Sequence, residues 1–178
     1  PERAFSGIHV RRSQDGVTWQ PPVAVVDHVN TAIPMEDKPW MAADRAVNSP
    51  HRGNLYVAWT RFDVYGSADP THRTHIWFAR SKDGGRSFQP PVRISDESGG
   101  AKDDDNTVEG AVPAVGPKGE VYVAWAGPKG LVIAFIGLQL GHIDEQANAA
   151  IVFAFVLTAV VSPGMFIRAD RIYDRIAP

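Results

Sequence analysis

The sequence predicts an all-β propeller fragment, about two four-stranded blades, followed by a hydrophobic α-helical tail. Three observations predict it. A turn, Ser13-Gln-Asp-Gly-Val-Thr-Trp19, returns 68 residues later as Ser81-Lys-Asp-Gly-Gly-Arg-Ser-Phe88, and both copies run into Gln-Pro-Pro-Val. A strand motif, Asn54-Leu-Tyr-Val-Ala-Trp-Thr60, returns 66 residues later as Glu120-Val-Tyr-Val-Ala-Trp-Ala126. Two motifs on nearly one period mark a repeated supersecondary unit. Finally, residues 1–130 are polar, turn-rich and aromatic, whereas no charged side chain occurs from Gln146 to Ile167.

Taken in order, 7–12 reads as a strand, with Ile8 and Val10 on one face and His9 and Arg11 on the other. The turn 13–19 reverses it and 22–26 is the returning partner. A loop over 28–37 leads to a strand over 38–47 with Trp40 and Ala42 on one face. The Asn, Ser, Pro and Gly of 48–54 make a turn. Residues 55–61 are strongly strand-like, with Leu55, Val57 and Trp59 opposite Tyr56 and Ala58. A loop over 62–73 precedes strand 75–80, the second turn and strand 92–95. The loop 96–108 is acidic, and strands 111–115 and 121–126 flank Gly116-Pro-Lys-Gly119. No helical pattern separates these strands, so an all-β repeat architecture fits them better than βαβ units. Four strands between Lys38 and Ser95 are the content of one propeller blade.

The chain of 178 residues has a net charge of −2, which gives no basic field for nucleic acid, and no Cys, which excludes disulfides and thiolate sites. It opens on Pro1 rather than Met, which reads as a fragment or processed piece.

The repeated turn, each copy after a strand and before a Pro-containing strand, resembles the Asp box of sialidases and related BNR-repeat propellers. Asp37-Lys-Pro-Trp40 and Val-Tyr-Val-Ala-Trp resemble bacterial sialidase-like propellers as well, so the likeness covers about 5–130. In the box, Asp15 and Asp83 are expected to accept backbone N–H bonds across their own turns. Gly16, Gly84 and Gly85 supply positive φ. Ser13 and Ser81 open the two turns, and Trp19 and Phe88 are expected to be buried beneath their hairpins for about 2–3 kcal/mol each. The resemblance implies that these boxes lie on the face away from chemistry.

Antiparallel alternation then puts the remaining loops on the other face. There Asp37, Arg61 and Glu109 are the candidate catalytic residues, and Lys38, Asp63, Tyr65 and Arg73 the candidate ligand-binding residues. The resemblance implies three arginines for a sugar carboxylate, a Tyr–Glu pair and an acid/base Asp, chemistry that planar guanidinium forks and paired acids suit. The family's Arg-Ile-Pro motif is absent, and the set is incomplete in this chain. Asp103-Asp-Asp-Asn106 offers hard-cation oxygens, with Asp103 and Asp105 as candidates, but lacks EF-hand alternation and its terminal Glu; a solvated loop is expected. No metal and no cofactor are expected.

Residues 131–178 form the second predicted domain. The uncharged run 146–167 is 22 residues long. As a helix it would reach about 33 Å, enough for a hydrocarbon core of about 30 Å. Arg168, Arg171 and Arg175 would place that end in the cytoplasm. The Gly-His-Ile-Asp-Glu145 connector and Leu157–Pro163 resemble the C-terminal helices of a cation/proton antiporter membrane domain. Because a propeller joined in mid-blade to transporter helices is unusual, a chimeric reading frame with its junction near Leu131 is expected, with a membrane-anchored propeller as the alternative.

The functional expectation is a sialidase-like propeller fragment that acts on or binds glycans and is inactive alone. The resemblance implies an extracellular or periplasmic propeller part, with membrane contact through 146–167. The alternatives are a non-enzymatic interaction scaffold and an antiporter fragment acting through the tail.

Overall fold

The computed structural model describes residues 5–128 and 130–135, which lie in the first of two units of the chain, Pro1–Gly137. The predicted membrane segment 146–167 and the antiporter-like helices fall outside the described residues. The described residues are all-β and antiparallel. Their strands are β1 (Phe5–Val10), β2 (Val23–Val29), β3 (Met35–Ala43), β4 (Leu55–Phe62), β5 (Arg73–Ser81), β6 (Val92–Arg93), β7 (Gly99–Gly100), β8 (Glu109–Val115), β9 (Val121–Gly127) and β10 (Gly130–Phe135).

They form three sheets: β1-β2, the meander β3-β4-β5-β6 with β7 paired to the far end of β5, and β10-β9-β8. The four strands expected between Lys38 and Ser95 are thus one sheet. Its middle strand β4 is buried on both faces because a sheet packs on each. Val57, Trp59 and Ala79 meet Ile8 and Val25 of the β1-β2 layer, with Val10, Val26, Trp77 and Phe88 at the margin. On the opposite face β8 packs on β3, β4 and β5. There the Gly110 N–H donates to Thr60 Oγ1 at 3.2 Å and the Val108 N–H to Thr74 Oγ1 at 3.0 Å. The alternation Leu-Tyr-Val-Ala-Trp therefore serves two cores rather than one core and solvent.

Two expectations are corrected. Leu131–Phe135, assigned to a helical tail, continues the sheet as β10, in register with β9 from Gly130↔Gly127 to Phe135↔Tyr122. A short apolar run fits helix or strand by periodicity. Here Gly130 pairs back with Gly127 and the run adds to the open edge of β9, and its Val and Ile favour extended backbone. Trp19, expected to be buried, is 51% exposed. Phe88 is only half-buried, packed against the core that Val57 and Trp59 share with the β1-β2 layer, and Trp19 is not among the side chains packed there.

The two repeated turns share one bonding scheme. Asp15 Oδ1 accepts from Ser13 Oγ at 2.9 Å, from the Val17 N–H at 2.8 Å and from the Thr18 N–H at 2.7 Å. Asp83 Oδ1 accepts from Ser81 Oγ at 2.7 Å, from the Arg86 N–H at 2.8 Å and from the Ser87 N–H at 2.9 Å. Its Oδ2 adds Ser87 Oγ at 2.5 Å. The second turn is one residue longer, and Gly85 in place of Gly16 donates its N–H to the serine hydroxyl, both at 2.8 Å. Gly85, with φ +81°, is also where a side chain would not fit, since a Cβ would lie 3.0 Å from Leu55 Cδ1 and 3.3 Å from Arg12 Cδ.

These bonds hold both carboxyls far below the ordinary value of 3.8, Asp15 chiefly through the Thr18 N–H and Asp83 chiefly through the Ser87 hydroxyl. His75 is pushed below 6.5, first by burial and then by the charge of Arg93. Depressed folded values mean that the unfolded chain binds more protons, so stability falls as pH falls. The loss is expected to begin below pH 6.5 through His75 and to steepen below pH 3.8 through the two aspartates. Thermal melts across pH 2–8 check this; in Asp83→Asn the limb below 3.8 is expected to flatten, and an unchanged limb would contradict the assignment.

Candidate functional site

The turns lie at the end of the stack where β1 and β5 finish and β4 begins. The candidate site residues lie at the other end, where β4 finishes and β3, β5 and β8 begin. Two clusters form there.

The first is built by a repeated bulge. In β3, Asp37 pairs with Thr60 and Trp40 with Ala58, leaving Lys38 and Pro39 as the bulge. In β8, Glu109 pairs with Ala126 and Val112 with Ala124, leaving Gly110 and Ala111. Thr60 and Ala126 are equivalent in the 66-residue repeat, so Asp37 and Glu109 occupy one position in successive sheets. The bulge residue has positive φ in both, 49° at Lys38 and 72° at Gly110. Glycine adopts this readily; a lysine there is strained and is uncommon outside turns and functional sites.

The bulge aims Lys38 across to the next sheet. Its Nζ bonds Glu109 Oε2 and stands 3.5 Å from Asp37 Oδ2 and 4.0 Å from Asp103 Oδ1. The Glu109 bond, reinforced by the charges of Glu109, Asp37 and Asp103, raises the Lys38 ammonium above its usual range against a partial opposing effect of burial. The Tyr65 hydroxyl donates to Asp103 Oδ2 at 2.7 Å, which raises the phenol as well. Tyr65 is thus held as a neutral donor. The structure brings together Asp37, Lys38, Tyr65, Asp103 and Glu109: three carboxylates, one ammonium and one phenol. Asp105 is exposed, and among the described residues no group of three or more His, Asp or Glu is arranged to hold a metal.

The second cluster surrounds Glu36, which sequence reasoning passed over. Its side chain is fully buried. Oε1 accepts from Arg61 Nε at 2.7 Å, Arg61 Nη2 at 2.6 Å and His28 Nε2 at 2.8 Å, and Oε2 accepts from Trp59 Nε1. The Arg61 guanidinium also stacks 3.8 Å from the centre of the Trp77 ring. Arg61 is therefore held by Glu36 and Trp77, and a ligand carboxylate would have to compete with Glu36 for it. Asp63 and Arg73 meet through the Arg73 backbone N–H, 2.9 Å from Asp63 Oδ2. A signal for Glu36 did exist: in the β3–β4 register it faces Arg61, an opposite-charge cross-strand pair.

No protein-family model matches the chain, and neither a curated protein nor a solved structure matches it.

Proposed function

We propose that residues 5–135 are blades of a sialidase-like β-propeller whose loop end binds glycans. The observation that supports this reading most is the polarity of the stack. Two turns with one hydrogen-bonding scheme occupy one end, and the Asp37–Lys38–Tyr65–Asp103–Glu109 cluster, set on a bulge repeated between sheets, occupies the other. Carboxylates accept sugar hydroxyls, and the lysine and phenol donate to them. Three carboxylates against one ammonium favour a neutral glycan over an acidic one, because a ligand carboxylate there would meet like charge.

The same balance bears on catalysis. In this reading the family's acidic-sugar chemistry needs free arginines at the site, and Arg61 is committed to Glu36. The 178-residue chain is expected to bind neutral glycans with millimolar affinity and to release no fluorophore from a fluorogenic sialoside. Sialoside turnover by the purified chain would overturn the binding-only reading. Absence of any glycan binding at millimolar concentration would instead favour the interaction scaffold. Membrane contact through 146–167 is a separate part of the proposal, tested by membrane fractionation of the expressed chain.

A further inference from the structure

The loop that joins β4 to β5 holds a serine and a histidine in contact: Ser67 Oγ lies 2.8 Å from His72 Nδ1. Neither residue belongs to the Lys38 or the Glu36 cluster. Main-chain bonds fix the loop around them. The Asp63 N–H donates to the Arg73 carbonyl and the Arg73 N–H to Asp63 Oδ2, both at 2.9 Å. The Gly66 N–H donates to the Ala101 carbonyl at 2.7 Å, and the His72 N–H to the Asp69 carbonyl at 3.1 Å. A base held within hydrogen-bond reach of a hydroxyl is the starting geometry of an activated nucleophile.

The neighbours of the pair suit the roles. The Asp69 N–H donates to Ser67 Oγ at 3.1 Å. A hydroxyl has one proton and two lone pairs. With one lone pair taken by that N–H, the proton is free for His72 Nδ1 and the second lone pair for attack. The Asp69 carboxylate is pinned by the Thr71 N–H at 2.8 Å and the Thr71 hydroxyl at 2.7 Å. These bonds, and after them the charge of His72, hold it below the ordinary 3.8. A fixed negative charge beside the ring favours the imidazolium that proton transfer creates. Ala68 is exposed, and its N–H has no acceptor among the described residues. The N–H of the residue after a nucleophilic serine is a common oxyanion donor.

We infer that Ser67 and His72 form a nucleophile–base pair that hydrolyses small carboxylic esters. Oγ attacks the acyl carbon as its proton passes to His72 Nδ1, and the Ala68 N–H faces the oxygen that gains charge. The carbon–alkoxy bond then breaks, the alcohol leaves with the proton from His72, and Ser67 carries the acyl group. A water molecule, deprotonated by His72, attacks that ester; the carboxylic acid leaves and Ser67 regains its proton. One main-chain donor on an exposed loop suits an ester rather than an amide, whose poorer leaving group needs a fuller oxyanion hole. The inference uses none of the carboxylates around Lys38 and stands apart from the glycan reading.

The probe is a biotinylated fluorophosphonate, whose phosphorus stands in for the acyl carbon, incubated with the purified full chain and located by peptide mass spectrometry. An adduct on Ser67 is expected. His72→Gln is expected to slow its formation at least about 100-fold, the scale of a lost general base. His9→Gln, at an imidazole outside the loop, is expected to leave it unchanged. In a second measurement p-nitrophenyl acetate is expected to leave an acetyl group on Ser67, and its hydrolysis to be lost in Ser67→Ala. No adduct on Ser67 of the unaltered chain would overturn the inference, whatever the variants do. So would labelling of His72→Gln at the parent rate, or undiminished acetate release by Ser67→Ala, which would assign the reaction to a surface imidazole instead.

Discussion

Glu36→Ala is expected to destabilise the described fold by about 3–5 kcal/mol, the cost of removing one partner of a buried ion pair. The glutamate side chain is wholly buried and the Arg61 side chain is 15% exposed, so the guanidinium has little water to replace the lost carboxylate. The Trp59 N–H and His28 Nε2–H lose their acceptor in the same step. The contact is also structural at a larger scale. His28 lies on β2 and Ser6, whose hydroxyl accepts the Glu36 N–H at 3.1 Å, lies on β1, so Glu36 ties the first sheet to the second. Glu36→Gln keeps the shape but turns an NH2 toward donors, and a smaller loss of the same sign is expected. Glu36→Met with Arg61→Met removes both charges and is expected to recover most of the stability, as apolar replacement of whole buried pairs does. Urea midpoints at unchanged slope read these differences. A cost below about 1 kcal/mol for Glu36→Ala would show that the network contributes little.

The position of Glu36 illustrates what the sequence could and could not convey. The strands of the central sheet were legible because their alternation is local, and the two Ser-x-Asp-Gly turns were legible because Asp15 and Asp83 bond within four residues of themselves. Glu36 acts on residues 8, 23 and 25 positions away. Nothing near Pro34-Met-Glu-Asp37 marks it as buried, and reading 28–37 as a loop hid its register against Arg61. Asp37 and Glu109 are legible as residues of the loop end, since each stands just before a predicted strand (38–47 and 111–115). Their meeting around Lys38 depends on a bulge in each strand, a one-residue irregularity that periodicity does not reveal. Trp19 failed as a core residue for a related reason. The turn supplies an aromatic ring, but burial needs a neighbouring layer, and of the two rings it is Phe88 that packs on one among the described residues.

The same contrast sets the expected behaviour of the tryptophans. Trp59 has no exposed surface and sits among Ile8, Val25, Val57 and Ala79 at the junction of two sheets. Trp59→Ala is expected to cost about 3–5 kcal/mol, since the site is filled from both layers and cannot collapse without moving one of them. Trp19→Ala, at a ring half in water, is expected to stay within about 1 kcal/mol of the parent. Trp59→Phe separates packing from hydrogen bonding: most of the buried ring is kept, and Glu36 loses one of its donors, for about 1–3 kcal/mol. Because the indole and the carboxylate are in direct contact, the effects of Trp59→Phe and Glu36→Gln should not add, with a coupling of about 0.5–3 kcal/mol in a double-mutant cycle. Urea unfolding followed by circular dichroism is the suitable measurement, as tryptophan fluorescence itself changes with these variants. Equal losses for Trp59→Ala and Trp19→Ala would mean that the two-sided core around β4 does not govern stability, and additive effects in the cycle would mean that the Trp59 indole and Glu36 act independently.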